Sequence, residues 1–109
     1  MSASFDEPPV ILPSQMAVAR IQRLVANTYG IDQQLLKMRE RRRSVAWPRQ
    51  VAMYLARKTT GKSVECIGRC FGGLDHTSVI HAVRAVEGRM ATVPYYREDI
   101  DALLARLQG

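Results

Sequence analysis

The sequence predicts an all-α fold, a compact domain of about six helices containing a helix-turn-helix. Three observations carry this expectation. Apolar residues recur at three- and four-residue spacing through most of the chain, the period of a helix with one buried face. Serine or aspartate precedes the apolar stripes and glycine follows them, the residues that favour helix starts and stops. No stretch alternates apolar and polar residues in the manner of a half-buried strand.

Taken in order, residues 1–13 read as a flexible N-terminal tail, because Pro8, Pro9 and Pro13 oppose a regular helix. Its apolar patch is Val10, Ile11 and Leu12. Residues 14–109 form the domain. A first helix is expected over 14–29, with Ser14 as N-cap, Val18, Ile21, Leu24, Val25 and Thr28 on its inner face, and Gly30 ending it. Asp32 caps a brief helix carrying Leu35, Leu36 and Met38. The run Arg39-Glu40-Arg41-Arg42-Arg43 has no apolar stripe and reads as an extended basic arm. Trp47-Pro48 opens the next helix, proline being tolerated in a first turn. Val51, Ala52, Tyr54 and Leu55 face the core, and Thr59-Thr60-Gly61 closes the helix. Pro94 begins a last helix with Ile100, Leu103, Leu104 and Leu107 inside.

The stretch between these elements, SVECIGRCFGGLDHTSVIHAVR, organises the rest. Ser63 caps a short helix whose apolar face is Cys66, Ile67, Cys70 and Phe71. Gly72-Gly73 stops it, since glycine takes the left-handed conformation without steric cost. Asp75 then caps a second helix with Val79, Ile80, Val83 and Val86 on its stripe, ending near Met90-Ala91. His76, Thr77 and Ser78 are thereby held in an exposed first turn, the part of a recognition helix that meets base edges in a major groove. Charge agrees with a polyanionic partner. The net charge is +6, and residues 37–69 hold ten basic residues against Glu40 and Glu65. A basic centre between near-neutral flanks is the footprint of a nucleic-acid binder.

Two motifs make the reading more specific. GGLDHTSV resembles the GGRDHTTV signature of the bacterial replication initiator DnaA, and SVAWPRQVAMYLAR resembles that family's SVARPRQxAMYLAR segment. The resemblance covers residues 16–107 and implies the family's C-terminal DNA-binding domain. It implies binding to double-stranded DNA at A/T-rich DnaA-box-like sites, with a role in starting or regulating chromosomal replication. By position, it assigns base contacts to Arg41, Arg57, Asp75, His76 and Thr77, with Arg41 entering a minor groove. Phosphate contacts fall to Arg49, Gln50, Ser63 and Ser78, and Lys62 is expected to join them. The chemistry suits the roles: a guanidinium favours a narrow negative groove, and carboxylate, imidazole and threonine methyl each match a base-edge group. Four positions depart from the family: Leu74 and Trp47 replace arginines, Cys66 replaces a glutamate, and Glu65 occupies a position near a base.

The family also carries an ATPase domain, and the present sequence has no G-x-x-x-x-G-K-[ST] loop. For a complete chain, binding to boxes without opening DNA is expected, as a competitor at the origin or as a small transcription regulator. The rival reading is a protein-interaction module that lost base reading and docks a replication or regulatory protein through Val10–Leu12, Leu74 and Trp47. No cofactor is expected. Cys66, Cys70, His76 and His81 have the wrong spacing for zinc, the two histidines lying about 140° apart on a helix. Both cysteines read as buried packing, and Trp47 and Tyr54 as core rather than as platforms for unpaired bases. No nucleophile, base and orienter fall together, so an enzyme is not expected. No apolar run reaches the roughly 20 residues of a membrane span, and no signal pattern opens the chain, which points to a cytoplasmic, nucleoid-associated protein.

Overall fold

A computed structural model describes residues 13–38 and 42–108 of the chain. Among the described residues, five α-helices and one 3-10 turn follow in order: α1 Pro13–Tyr29, the 3-10 turn Gln33–Lys37, α2 Arg43–Thr60, α3 Val64–Cys70, α4 His76–Thr92 and α5 Pro94–Gln108. The expected brief second helix is thus a 3-10 turn. The tail expected over residues 1–13 falls outside the described residues except for Pro13, and Val10–Leu12 fall outside them too.

Helix α2 is the centre of the molecule. Six consecutive residues, Val51 to Ala56, are buried, which no amphipathic surface helix allows; α2 is covered on one side by α1, on another by α4, and at its flanks by α3 and the 3-10 turn. The core runs outward from it through Val18, Ile21 and Val25 of α1, Leu36, Ile67, Phe71, Val79 and Val86, and Ile100 and Leu103 of α5. Each fully buried side chain of this size contributes about 1.5–3 kcal/mol relative to exposure.

The helix ends follow local chemistry. Gly30 takes φ +67°, and Ile31 N–H donates back to the Ala26 carbonyl at 3.0 Å, the closing bond of a Schellman end. Asp32 caps the 3-10 turn through the Gln34 N–H at 2.8 Å. Gly61 ends α2 in the left-handed region.

Several expectations need correction. Helix α1 already begins at Pro13, so Ser14 lies inside it; proline is pre-organised for the first helical position. Thr28 is exposed, and its hydroxyl donates to the Leu24 carbonyl rather than packing inward. Met38 lies beyond the 3-10 turn and is 54% exposed. Helix α2 starts at Arg43, not at Trp47, so the basic run ends inside a helix and Pro48 sits in its second turn. Proline there deprives only the Ser44 carbonyl of its intrahelical donor, and Ser44 is exposed to water. Cys66 and Cys70 are half-buried rather than buried.

One buried polar side chain was not foreseen. Gln22 of α1 is 2% exposed, and its Nε2 donates at 2.9 Å to the Cys70 carbonyl at the end of α3. It ties the first helix to the turn of the helix-turn-helix. Gln22→Met, which keeps the volume but leaves that carbonyl without its donor, is expected to cost about 1–3 kcal/mol in urea unfolding.

Candidate nucleic-acid interface

The helix-turn-helix is closed by unusually close backbone approaches. The Gly68 carbonyl accepts from both Phe71 N–H at 3.1 Å and Leu74 N–H at 3.0 Å. A Cβ on Gly68 would lie 2.1 Å from the Leu74 carbonyl oxygen, so only glycine lets α3 and the turn touch. Gly72 and Gly73 both have positive φ, at 85° and 79°. Phe71 is 1% exposed beneath them.

At the start of α4, Asp75 Oδ1 accepts from Ser78 N–H at 2.9 Å, the capping bond that the sequence predicts. That backbone bond is the main cause holding the Asp75 carboxyl below its ordinary pKa; the Ser78 side chain, His76 and the Thr77 amide act in the same direction. The side chain is thus a carboxylate at neutral pH and can accept from a further donor. His76 and Thr77 are exposed beside it, and Ser78 is half-buried.

Asp75, Thr77 and Ser78 stand over a shallow groove of about 450 Å³ between α4 and the N-terminal half of α2. Asp75, Thr77, Ser78 and His81 line one wall and Ala46, Arg49, Gln50 and Met53 the other, with Leu74 at its end. The structure therefore brings Arg49 and Gln50 to the same surface as the exposed first turn of α4. Ser63 Oγ accepts from Cys66 N–H at 3.1 Å as the cap of α3, and its hydroxyl proton is still available to an external acceptor. Arg57, exposed near the end of α2, donates from Nη1 to the Lys62 carbonyl, which ties it to the loop before Ser63. Arg41 lies outside the described residues.

A family model for the bacterial DnaA protein helix-turn-helix matches residues 18–86. The chain belongs to the bacterial DnaA helix-turn-helix family. Chromosomal replication initiator protein DnaA of Symbiobacterium thermophilum is 43% identical over 101 residues, which is 93% of this chain and 22% of that protein. The protein of the same name from Rhodopseudomonas palustris is 43% identical over 96 residues, 88% of this chain and 20% of that one. A solved structure described as a DNA replication initiation factor superposes with a TM-score of 0.79 at 30% identity, covering 86% of this chain and 29% of that one. The chain spans about a fifth of the length of the curated DnaA relatives it matches.

Two of the departures from the DnaA pattern have clear placements. Leu74 is half-buried and packs against the core while lining the groove. Trp47 also packs against the core. The Arg89 guanidinium lies 4.4 Å from its ring centroid, and Tyr96 meets it edge-on at 5.2 Å. Trp47 is thus a packing residue on a face of α2 turned away from the groove, and Tyr54, 7% exposed, is core as expected. Cys70 packs against the core, and burial, reinforced by neighbouring Cys66, pushes its thiol up. That keeps it protonated, a poor nucleophile.

The capping bond of Asp75 separates its structural role from its charge. Its pKa is lowered in the folded state, so its contribution to stability is present above the ordinary aspartate value. It is lost as pH falls through the lowered folded value. Asp75→Asn keeps an oxygen for Ser78 N–H and is expected to retain the melting temperature at neutral pH. Asp75→Ala is expected to lower it by roughly 4–8 °C, read by thermal circular dichroism.

Proposed function

We propose that this protein binds double-stranded DNA sequence-specifically at DnaA-box-like, A/T-rich sites, and that it acts in starting or regulating chromosomal replication. The observation that carries the reading is the exposed Asp75-His76-Thr77 turn, whose Asp75 and Thr77 line one groove with Arg49 and Gln50. Membership of the DnaA helix-turn-helix family supports it, as does the concentration of basic residues between 37 and 69.

In this reading α4 enters the major groove by its first turn. His76 and Thr77 meet base edges, and Asp75 accepts from a base amino group with the carboxylate oxygen its cap leaves available. Arg57 reaches a base from the end of α2. Arg41 enters the adjacent minor groove, where the negative potential of A/T-rich sequence is strongest. Arg49, Gln50, Lys62, Ser63 and Ser78 contact phosphates and set register. The sequence holds no phosphate-binding G-x-x-x-x-G-K-[ST] loop, so the reading assigns these 109 residues the occupation of boxes and no nucleotide chemistry. Competition at an origin and regulation at promoters both follow from such occupancy.

The rival reading, a protein-docking module, draws less support. Leu74 and Trp47, on which its apolar surface depends, are packed against the core, and Val10–Leu12 lie outside the described residues. Among the described residues, no helix is long and apolar enough to cross a membrane.

Fluorescence anisotropy with a duplex carrying one DnaA-type box and a scrambled duplex, across a salt series, tests the proposal. A ratio of about 10³ or more in favour of the box is expected. His76→Ala is expected to abolish that ratio, and Arg41→Ala to reduce it by about 10-fold, with 1.4 kcal/mol corresponding to each tenfold step. Equal binding to both duplexes that fades with salt would leave only a basic surface.

A further inference from the structure

A second groove, of about 790 Å³, opens between α1, the C-terminal half of α2 and the end of α5. It shares no lining residue with the groove beside α4. Ile21, Tyr54, Leu104 and Leu107 give it an apolar floor, with the two leucines only half-buried. Its rim carries three cations, Arg20, Lys58 and Lys62, and among the described residues no carboxylate lines it. The Thr59 and Thr60 hydroxyls already donate to the Leu55 and Ala56 carbonyls, at 2.7 and 2.6 Å. Lys58 is held at the rim by an ion pair with Glu87 at 3.4 Å and by the Tyr54 ring, whose centroid lies 5.7 Å from its Nζ. Both charged side chains of that pair are about half exposed, so the pair is weak and open to exchange.

We propose that this groove docks an acidic amphipathic helix of a partner protein. Charge complementarity selects the acidic face, because three cations ring the groove with no carboxylate among its lining residues. The floor selects the apolar face. Leucine-like side chains at helical spacing would cover the exposed parts of Leu104 and Leu107. An apolar centre inside a charged rim is also the anatomy of a protein interface. A DNA backbone would satisfy the cations but brings nothing to cover the leucines. A bilayer surface is flat and would meet the rim while leaving a concave floor uncovered. Glu87 is a built-in competitor, since a partner carboxylate reaches Lys58 only by displacing it. The proposal stands apart from the DNA reading, because no residue of the exposed α4 turn takes part.

The test uses the full 109-residue chain and a fluorescein-labelled helical peptide of about four turns, with leucines on one face and glutamates on the other. Two control peptides replace the glutamates by glutamine, or the leucines by serine. Each control is expected to bind at least about tenfold more weakly in fluorescence anisotropy. Arg20→Glu, at an exposed position, is expected to weaken the parent peptide by about tenfold. Leu107→Gln is expected to weaken it several-fold, with a circular dichroism melt to verify the fold. Glu87→Gln is expected to tighten it about two- to threefold, whereas Glu98→Gln, which changes net charge equally but lies outside the groove, leaves it unchanged. Lys62 is left unaltered, because the DNA reading gives it a phosphate. No binding of the parent peptide, or equal binding of the leucine-free control, would overturn the proposal. So would an affinity indifferent to Arg20→Glu. Capture of the chain by vesicles of anionic phospholipid but not by the peptide would assign the groove to a lipid surface. Duplex binding weakened by Arg20→Glu as much as peptide binding would assign it to nucleic acid. Either outcome also removes the protein partner.

Discussion

The architecture depends on how closely two stretches of backbone can approach. Gly68 lets the end of α3 touch the Leu74 peptide, and Gly72 lets the same turn touch the Lys37 peptide. Any side chain at either position would meet a carbonyl oxygen at a distance no Cβ tolerates. With both contacts in place, the start of α4 is fixed relative to α3 and to the 3-10 turn at once. Capping by Asp75 and burial of Phe71 then complete a corner whose outer surface is polar and whose inner surface is core. Hydrophobic burial supplies the driving force, but it is non-directional. The glycine contacts give the corner its shape.

Much of this was legible in the chain. The helix-turn-helix could be read because its signals are local: Ser63 and Asp75 cap as expected, and Gly30, Gly61, Gly72 and Gly73 all adopt positive φ. The inner residues of α5 were equally plain, since Ile100 and Leu103 are its buried pair. The errors arose where a local signal competed with a tertiary one. Pro48 suggested a helix start, yet α2 begins five residues earlier, because proline in a second turn costs a single exposed carbonyl its donor. Met38 fitted an apolar stripe by spacing, but the 3-10 turn ends before it.

The site divides in the same way. Asp75, His76 and Thr77 were readable as an exposed first turn from capping and periodicity alone. That Arg49 and Gln50 share a groove with Asp75 and Thr77 was not, because it depends on how α2 crosses α4. Nor did the sequence announce Gln22. An isolated glutamine on an apolar face looks like a surface residue until its partner, a carbonyl 48 positions away, is known. The bond from Arg49 to the Met38 carbonyl belongs to the same class. Contacts to backbone carbonyls carry no residue-type signature at the acceptor.

Helix α4 is anchored at places other than those it exposes. Its foot is held by the glycine corner and the Asp75 cap, its middle by Val79, Ala82 and Val86 in the core, and its far end by Arg89 stacked on Trp47. His76, Thr77 and His81 belong to none of these anchors and are all exposed. The molecule therefore separates what it is made of from what it presents. A library randomised at those three positions would change the chemistry of the outward face while the scaffold beneath stayed the same, so the domain is suited to being reprogrammed by exchange of a few surface side chains.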